Sequence, residues 1–158
     1  MERGIPETGG KLMLVCSAGG HLEQLMRLRP LWSEMDRVWV CLDKPDARAR
    51  LADEDVVWAY GPTNRRPDKL LRNLRLAVRT LRRVRPDWVL SNGAGIAPPF
   101  FIAARALGIP SVFMEVVDRT DSASLAGRLC APLATRVVVQ TSQQLASYSS
   151  ATVLGPLW

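Results

Sequence analysis

The chain has 158 residues, 47% of them hydrophobic and 23% charged, a globular composition of about one domain's length that excludes a disordered or fibrous protein. Lys and Arg number 21 against 15 acids, a formal net charge of +6, which favours an anionic partner such as nucleic acid, anionic lipid or a phosphate ligand. Three cysteines without a Cys-x-x-Cys pair and a single histidine argue against a zinc site or a disulfide framework and fit a reducing cytosol, and no run approaches the roughly 20 apolar residues of a membrane-spanning helix.

Residues 1–10 are polar and Gly/Pro-rich, without the apolar centre of a signal peptide, and are expected to be a disordered lead-in. Residues 11–158 are expected to form a single domain. Residues 12–16 (LMLVC) have the length and apolar continuity of a strand covered on both faces. Residues 17–20 (SAGG) form a tight loop, and residues 21–35 a helix with Leu22, Leu25, Met26 and Leu28 as its buried stripe and a kink or restart at Pro30. Residues 37–42 and 55–60 read as strands flanking a short helix over 45–52. Residues 65–85 form the strongest helical pattern: Leu70, Leu74, Ala77, Val78, Leu81 and Val84 fall on one side and Lys69, Arg72, Arg75, Arg79, Arg82 and Arg83 on the other. This segment holds nine basic residues and one acid, Asp68, so it carries +8 and the remainder of the chain −2. Residues 87–91 are the next strand, followed by a second glycine loop, Asn92-Gly93-Ala94-Gly95, and an apolar helix over 96–107 with Pro98 and Pro99 in its first turn and Gly108 as its cap. Strands over 111–117 and 136–140, helices near 124–132 and from Ser142, and a last strand near Thr152 complete the chain. Regular β-α alternation predicts an α/β fold, a Rossmann-like doubly wound parallel sheet with helices on both faces.

Ligands of such sheets bind at the carboxyl ends of strands where the strand order reverses. The strand over 12–16 ends in Ser17, Ala18, Gly19 and Gly20, and the strand over 87–91 ends in Asn92, Gly93, Ala94 and Gly95. Neighbouring placement at the switch point would turn both loops toward one crevice, where two helix N-termini would cradle one diphosphate. The first loop does not complete the Gly-x-Gly-x-x-Gly dinucleotide fingerprint.

The set Ser17-Ala18-Gly19-Gly20-His21, Asn92-Gly93-Ala94-Gly95 and Ile109-Pro110-Ser111-Val112-Phe113-Met114-Glu115 resembles the membrane-associated acceptor subunit of the bipartite UDP-N-acetylglucosamine transferase of asparagine-linked glycosylation. The resemblance is closer still to its bacterial counterparts in capsule and exopolysaccharide assembly, and it covers most of residues 11–157. It implies the N-terminal acceptor half of a GT-B glycosyltransferase, working with a separate donor-binding chain with which it shares a UDP-sugar, and inactive or nearly so alone. Gly19, Gly20 and His21 match the first glycine loop of that family, Gly93, Ala94 and Gly95 the second, and Glu115 an acidic position after the following strand, expected at the acceptor sugar. Ser17 and Asn92 complete the expected diphosphate-binding set. Eukaryotic members carry a membrane-spanning helix that this sequence lacks; Arg72, Arg75, Arg79, Arg82 and Arg83 are the expected substitute, binding an anionic cytoplasmic membrane face peripherally, with Phe100, Phe101 and Ile102 as an added apolar contact.

The implied chemistry is inverting transfer of GlcNAc or another hexose from a UDP-sugar to a polyprenyl-diphosphate-linked acceptor, with no cofactor or metal. His21 is the expected base, because an imidazole exchanges its proton near neutral pH and a helix N-terminus favours its neutral form; donation to a phosphate, or capping of its helix, is the competing role. Asp118, Arg119 and Asp121 lie in a polar loop on the same sheet edge, and the apolar tail over 154–158 is a possible partner-docking segment. Two rival classes remain: a non-catalytic scaffold that recruits a partner to the membrane, and a dinucleotide-dependent enzyme using Asp43 for the ribose. Nucleic-acid binding is disfavoured, since no aromatic platform accompanies the basic helix.

Overall fold

The computed structural model describes residues 10–63 and 66–157. Seven strands form one sheet in the order β3-β2-β1-β4-β5-β6-β7: β1 (Lys11–Cys16), β2 (Asp36–Leu42), β3 (Val56–Ala59), β4 (Trp88–Ser91), β5 (Ser111–Met114), β6 (Arg136–Val139) and β7 (Thr152–Val153). Every pairing is parallel. The order reverses between β1 and β4, which lie side by side with Leu12 opposite Trp88 and Val15 opposite Ser91. The expected α/β doubly wound fold is therefore present, with the two glycine loops leaving adjacent strands.

The alternation of β1 explains the layering. Leu12, Leu14 and Cys16 face a cluster containing Leu22 and Leu25 of α1 (Gly20–Arg27), Trp32 of α2 (Arg29–Trp32) and Ala47 of α3 (Pro45–Arg50). Met13 and Val15 face the opposite cluster, built with Ala77 and Leu81 of α4 (Pro67–Val84), Phe100 and Phe101 of α5 (Ala97–Leu107) and Cys130 of α6 (Leu125–Cys130). A strand buried on both faces needs apolar residues at successive positions, as β1 has from Leu12 to Cys16. A 3₁₀ turn spans Ser142–Ala146.

Several expectations shift at the element level. The single helix over 21–35 divides at Leu28, because Pro30 lacks an amide proton and suits the first turn of a new helix, α2. The buried side of α4 is Asn73, Ala77, Thr80 and Leu81, whereas Leu70 and Leu71 are about half exposed. Asn73 is drawn inward because its amide exchanges two hydrogen bonds, both 2.9 Å, with the backbone of Tyr60, fastening α4 to the end of β3. Phe100 and Phe101 are fully buried, and Phe101 stacks edge-on against Phe113 with centroids 6.1 Å apart. They therefore contribute no membrane contact; of that trio only Ile102 is exposed. Residues 1–9, Asn64, Arg65 and Trp158 lie outside the described residues, so the expected lead-in and the end of the expected docking tail do too. Within that tail Leu154 is exposed, while the Leu157 carbonyl accepts from Arg27 Nη1 at 2.8 Å.

Gly127 is the tightest point of the packing: a Cβ there would overlap the Tyr148 hydroxyl and Glu115 Oε2. Gly127→Ala is expected to lower stability by about 1–3 kcal/mol through overpacking, read as a lower midpoint of thermal or urea unfolding.

Candidate functional site

At the carboxyl edge of the sheet, β1 and β4 end in loops that interlock. The Asn92 side-chain amide donates from Nδ2 to the His21 carbonyl at 2.7 Å, and His21 Nδ1 lies 3.1 Å from the Asn92 carbonyl oxygen. Gly93, at φ +106°, carries the chain past the imidazole, and a Cβ there would stand 3.7 Å from His21 Cε1. Ser91 Oγ accepts from the Gly93 amide at 3.1 Å, tying the turn to its strand. Ala94 follows with φ +64°, a left-handed conformation that costs a non-glycine residue roughly 1–2 kcal/mol and that clusters at functional positions.

The loops open onto a crevice of about 1030 Å³ at the switch point. Gly20, His21, Ala94 and Gly95 form its inner end; Thr63, Arg66, Pro67 and Leu70 line one wall, and Val116–Arg119 with Ser124, Leu125, Ala126 and Leu129 the other. Exposed leucines stand along the crevice beside the exposed Arg66, Asp118 and Arg119: Leu125 is 74% exposed, Leu129 50% and Leu70 47%. Gly19 and Gly20 face open space, with nothing within 4 Å of a built Cβ, whereas a Cβ on Gly95 would overlap the Thr63 hydroxyl. Gly20 thus leaves room at the crevice, and Gly95 admits the segment that crosses it.

The expected site residues fall into groups. Gly20, His21, Ala94 and Gly95 converge on the crevice. Asn92 and Gly93 lie beneath it, Asn92 only 1% exposed with its Nδ2 committed to His21, so its side chain does not serve as the expected diphosphate ligand. Ser17 Oγ donates to the neighbouring Ala18 carbonyl at 3.4 Å, and the Gly19 amide donates to Asp46 Oδ2 at 2.9 Å, so that amide is occupied within the chain. Asp43 is paired with Arg48, at 2.6 and 2.8 Å, which holds its carboxyl below the usual range through hydrogen bonding and engages the group that a ribose would need.

Glu115 is displaced furthest from its expected role. It is fully buried, and its carboxylate accepts from the Val116 and Ser124 amides and the Ser124 hydroxyl, each at 3.0 Å, and from the Tyr148 hydroxyl. Four donors within the chain thus engage the buried side chain. Glu115 instead shapes the outer wall: Ser124 Oγ caps α6 by accepting from Gly127 N at 2.9 Å. Burial, reinforced by Glu115, pushes the Tyr148 hydroxyl well above its ordinary range, and burial pushes the Cys130 thiol up to about 12. Nearby, Gln140 Nε2 donates to Gln24 Oε1 at 2.8 Å and to the Glu115 carbonyl at 3.0 Å, and Gln144 Nε2 to the Val116 carbonyl at 2.8 Å. Asp118 and Arg119 reach the crevice; Asp121 does not line it.

The basic side chains of α4 lie apart from this inner end. Arg72 stands over the Tyr60 ring at 5.0 Å, and Arg75, Arg79, Arg82 and Arg83 surround Leu74 and Val78 in a groove of about 690 Å³. Among the described residues no helix is long and apolar enough to cross a membrane. Crevice residues that the sequence did not single out include Thr63, Arg66, Leu125 and Leu129; of these only the two leucines, at i, i+4 spacing, offered a signal.

No family model matches the chain. The chain is 25% identical to the UDP-N-acetylglucosamine transferase subunit ALG14 of Homo sapiens over 95% of its own length and 84% of the human protein. A 73-residue stretch, 46% of the chain, is 40% identical to the UDP-N-acetylglucosamine–N-acetylmuramyl-(pentapeptide) pyrophosphoryl-undecaprenol N-acetylglucosamine transferase of Tolumonas auensis, of which it covers 20%. Among solved structures, MurG of Acinetobacter baumannii superposes on 83% of the chain with a TM-score of 0.69 and 21% identity, and the matched part is 41% of that enzyme. The chain thus spans less than half of the Acinetobacter structure, about a fifth of the Tolumonas enzyme and most of the human subunit, and its Rossmann-like sheet has the fold of the matched part of MurG. The resemblance seen in the three sequence motifs is met again as similarity to a UDP-N-acetylglucosamine transferase subunit along nearly the whole chain.

Proposed function

We propose that this chain is the acceptor-binding subunit of a two-component glycosyltransferase, which transfers GlcNAc or another hexose from a UDP-sugar to an acceptor carried on a polyprenyl diphosphate. The observation that carries this reading is the convergence of Gly20, His21, Ala94 and Gly95 at the inner end of one crevice between β1 and β4. The diphosphate lies against the N-terminal ends of α1, which offers first-turn amides, and of α5, which acts through its dipole alone because Pro98 and Pro99 carry no amide proton and the Ala97 amide donates to the Ala94 carbonyl. The exposed Leu70, Leu125 and Leu129 side chains suit a hydrocarbon chain, while Arg66 beside them is paired with Asp68 at 2.9 and 3.1 Å.

In the proposed reaction the acceptor hydroxyl attacks the anomeric carbon of the UDP-sugar, the bond to UDP breaks with inversion, and His21 takes the hydroxyl proton. The donor pocket belongs to a partner chain, in keeping with the similarity to a relative named as a subunit. The α4 arginines, arranged around Leu74 and Val78, place the chain peripherally on an anionic membrane surface, at the cytoplasmic face.

Three outcomes are expected. With the donor-binding chain supplied, His21→Ala lowers transfer by at least about 100-fold; unchanged turnover would remove the base role. Gly20→Ala, whose methyl enters open space at the crevice, leaves the unfolding midpoint within about 0.5 kcal/mol of the parent while weakening transfer, whereas Gly95→Ala lowers stability by about 1–3 kcal/mol; a scaffold without acceptor chemistry would keep pair activity in Gly20→Ala. Reversing charge at Arg75, Arg79 and Arg82 together weakens sedimentation with anionic liposomes at least about tenfold, and added salt does the same to the parent.

A further inference from the structure

His21 is the one histidine of the chain, and its two ring nitrogens have different surroundings. Nδ1 lies 3.1 Å from the Asn92 carbonyl oxygen. A carbonyl has no hydrogen to give, so the bond exists only when Nδ1 carries the proton. In the neutral ring Nε2 then holds the lone pair, and it makes no hydrogen bond among the described residues. His21 also lines the crevice, so the unprotonated nitrogen is the one left for a ligand.

The Asn92 side chain reinforces this arrangement from the other direction. Its Nδ2 donates to the His21 carbonyl at 2.7 Å, so one residue of the β4 loop grips both the backbone and the ring of one residue of the β1 loop. The amide cannot be turned over without setting its oxygen against that carbonyl, which fixes its orientation. Its Oδ1 is left buried without a partner, which costs about 1–3 kcal/mol in a folded protein. An apolar residue of the same size would avoid that cost, but it would lose the bond to His21.

We propose that Asn92 is a positioning residue: its backbone carbonyl holds the imidazole in the Nδ1–H tautomer, its side chain holds the two loops in the register that bond needs, and together they present an unprotonated Nε2 to the crevice. This rests on the reading of His21 as the base, because only that tautomer leaves Nε2 able to take a hydroxyl proton. It also reassigns Asn92 from ligand contact to control of the base.

A single histidine makes the test unambiguous. Two-bond ¹H–¹⁵N correlation of the ¹⁵N-labelled full chain, at a pH where the ring is neutral and with no substrate or partner present, reads the tautomer directly. The expected spectrum has a pyrrole-type Nδ1 and a pyridine-type Nε2 far downfield. A pyrrole-type Nε2 in the parent would overturn the proposal. Asn92→Ala, or the apolar Asn92→Leu of similar size should Ala not fold, is expected to shift the nitrogens toward the Nε2–H form that free imidazole favours; a variant spectrum identical to the parent's would overturn the part assigned to the side chain. The spectrum is independent of turnover, so an Nδ1–H tautomer combined with fully active His21→Ala would leave the clamp standing and remove the base.

Discussion

The parallel pairing of β1 with β4 is the constraint on which the site depends. Connecting segments run outward from this pair in both directions, β2 and β3 to one side and β5 to β7 to the other, so no helix covers the carboxyl ends at the reversal. The loops that leave β1 and β4 are therefore neighbours without being close in sequence, His21 and Asn92 standing 71 positions apart. Two reciprocal hydrogen bonds across that gap turn adjacency into one assembled unit, and the positive φ of Gly93 and Ala94 lets the second loop pass close against the imidazole.

Around this inner end the walls are built by different means. One wall is held by Asn73, which ties α4 to the Tyr60 backbone, and by Thr63 packed into the space above Gly95. The other is held by a buried carboxylate. Glu115 gathers Val116, Ser124 and Tyr148 about itself, and the absence of a side chain on Gly127 lets α6 approach. Leu125 and Leu129 are thereby set at the rim. The crevice so formed has His21 and the loop glycines at one end and exposed leucines, with Arg66, Asp118 and Arg119, along its walls.

The framework of the molecule was legible because its signals are local. Unbroken apolar runs marked β1 and β4 as strands buried on both faces, glycines marked the loops after them, and alternation of elements implied the parallel sheet. The meeting of Gly20, His21, Ala94 and Gly95 at one crevice follows from the same local signals. Other roles depended on partners distant in the chain. Glu115 looks like an exposed strand-end acid until Tyr148, 33 residues later, is seen to donate to it, and Asn73 looks like a surface polar residue until Tyr60 receives it. Phe100 and Phe101 sit in a helix apolar on nearly every side, where periodicity selects no face; burial in the core settled what the pattern left open.

The central claim is that both glycine loops grip one diphosphate. Titrating the ¹⁵N-labelled chain with a soluble short-chain prenyl diphosphate-sugar, and following the backbone amides, tests it most directly. Saturable shifts at Gly20 and His21 together with Ala94 and Gly95, of matching affinity and absent with the sugar alone, are predicted. Shifts confined to the α4 arginines, or to neither loop, would contradict the account.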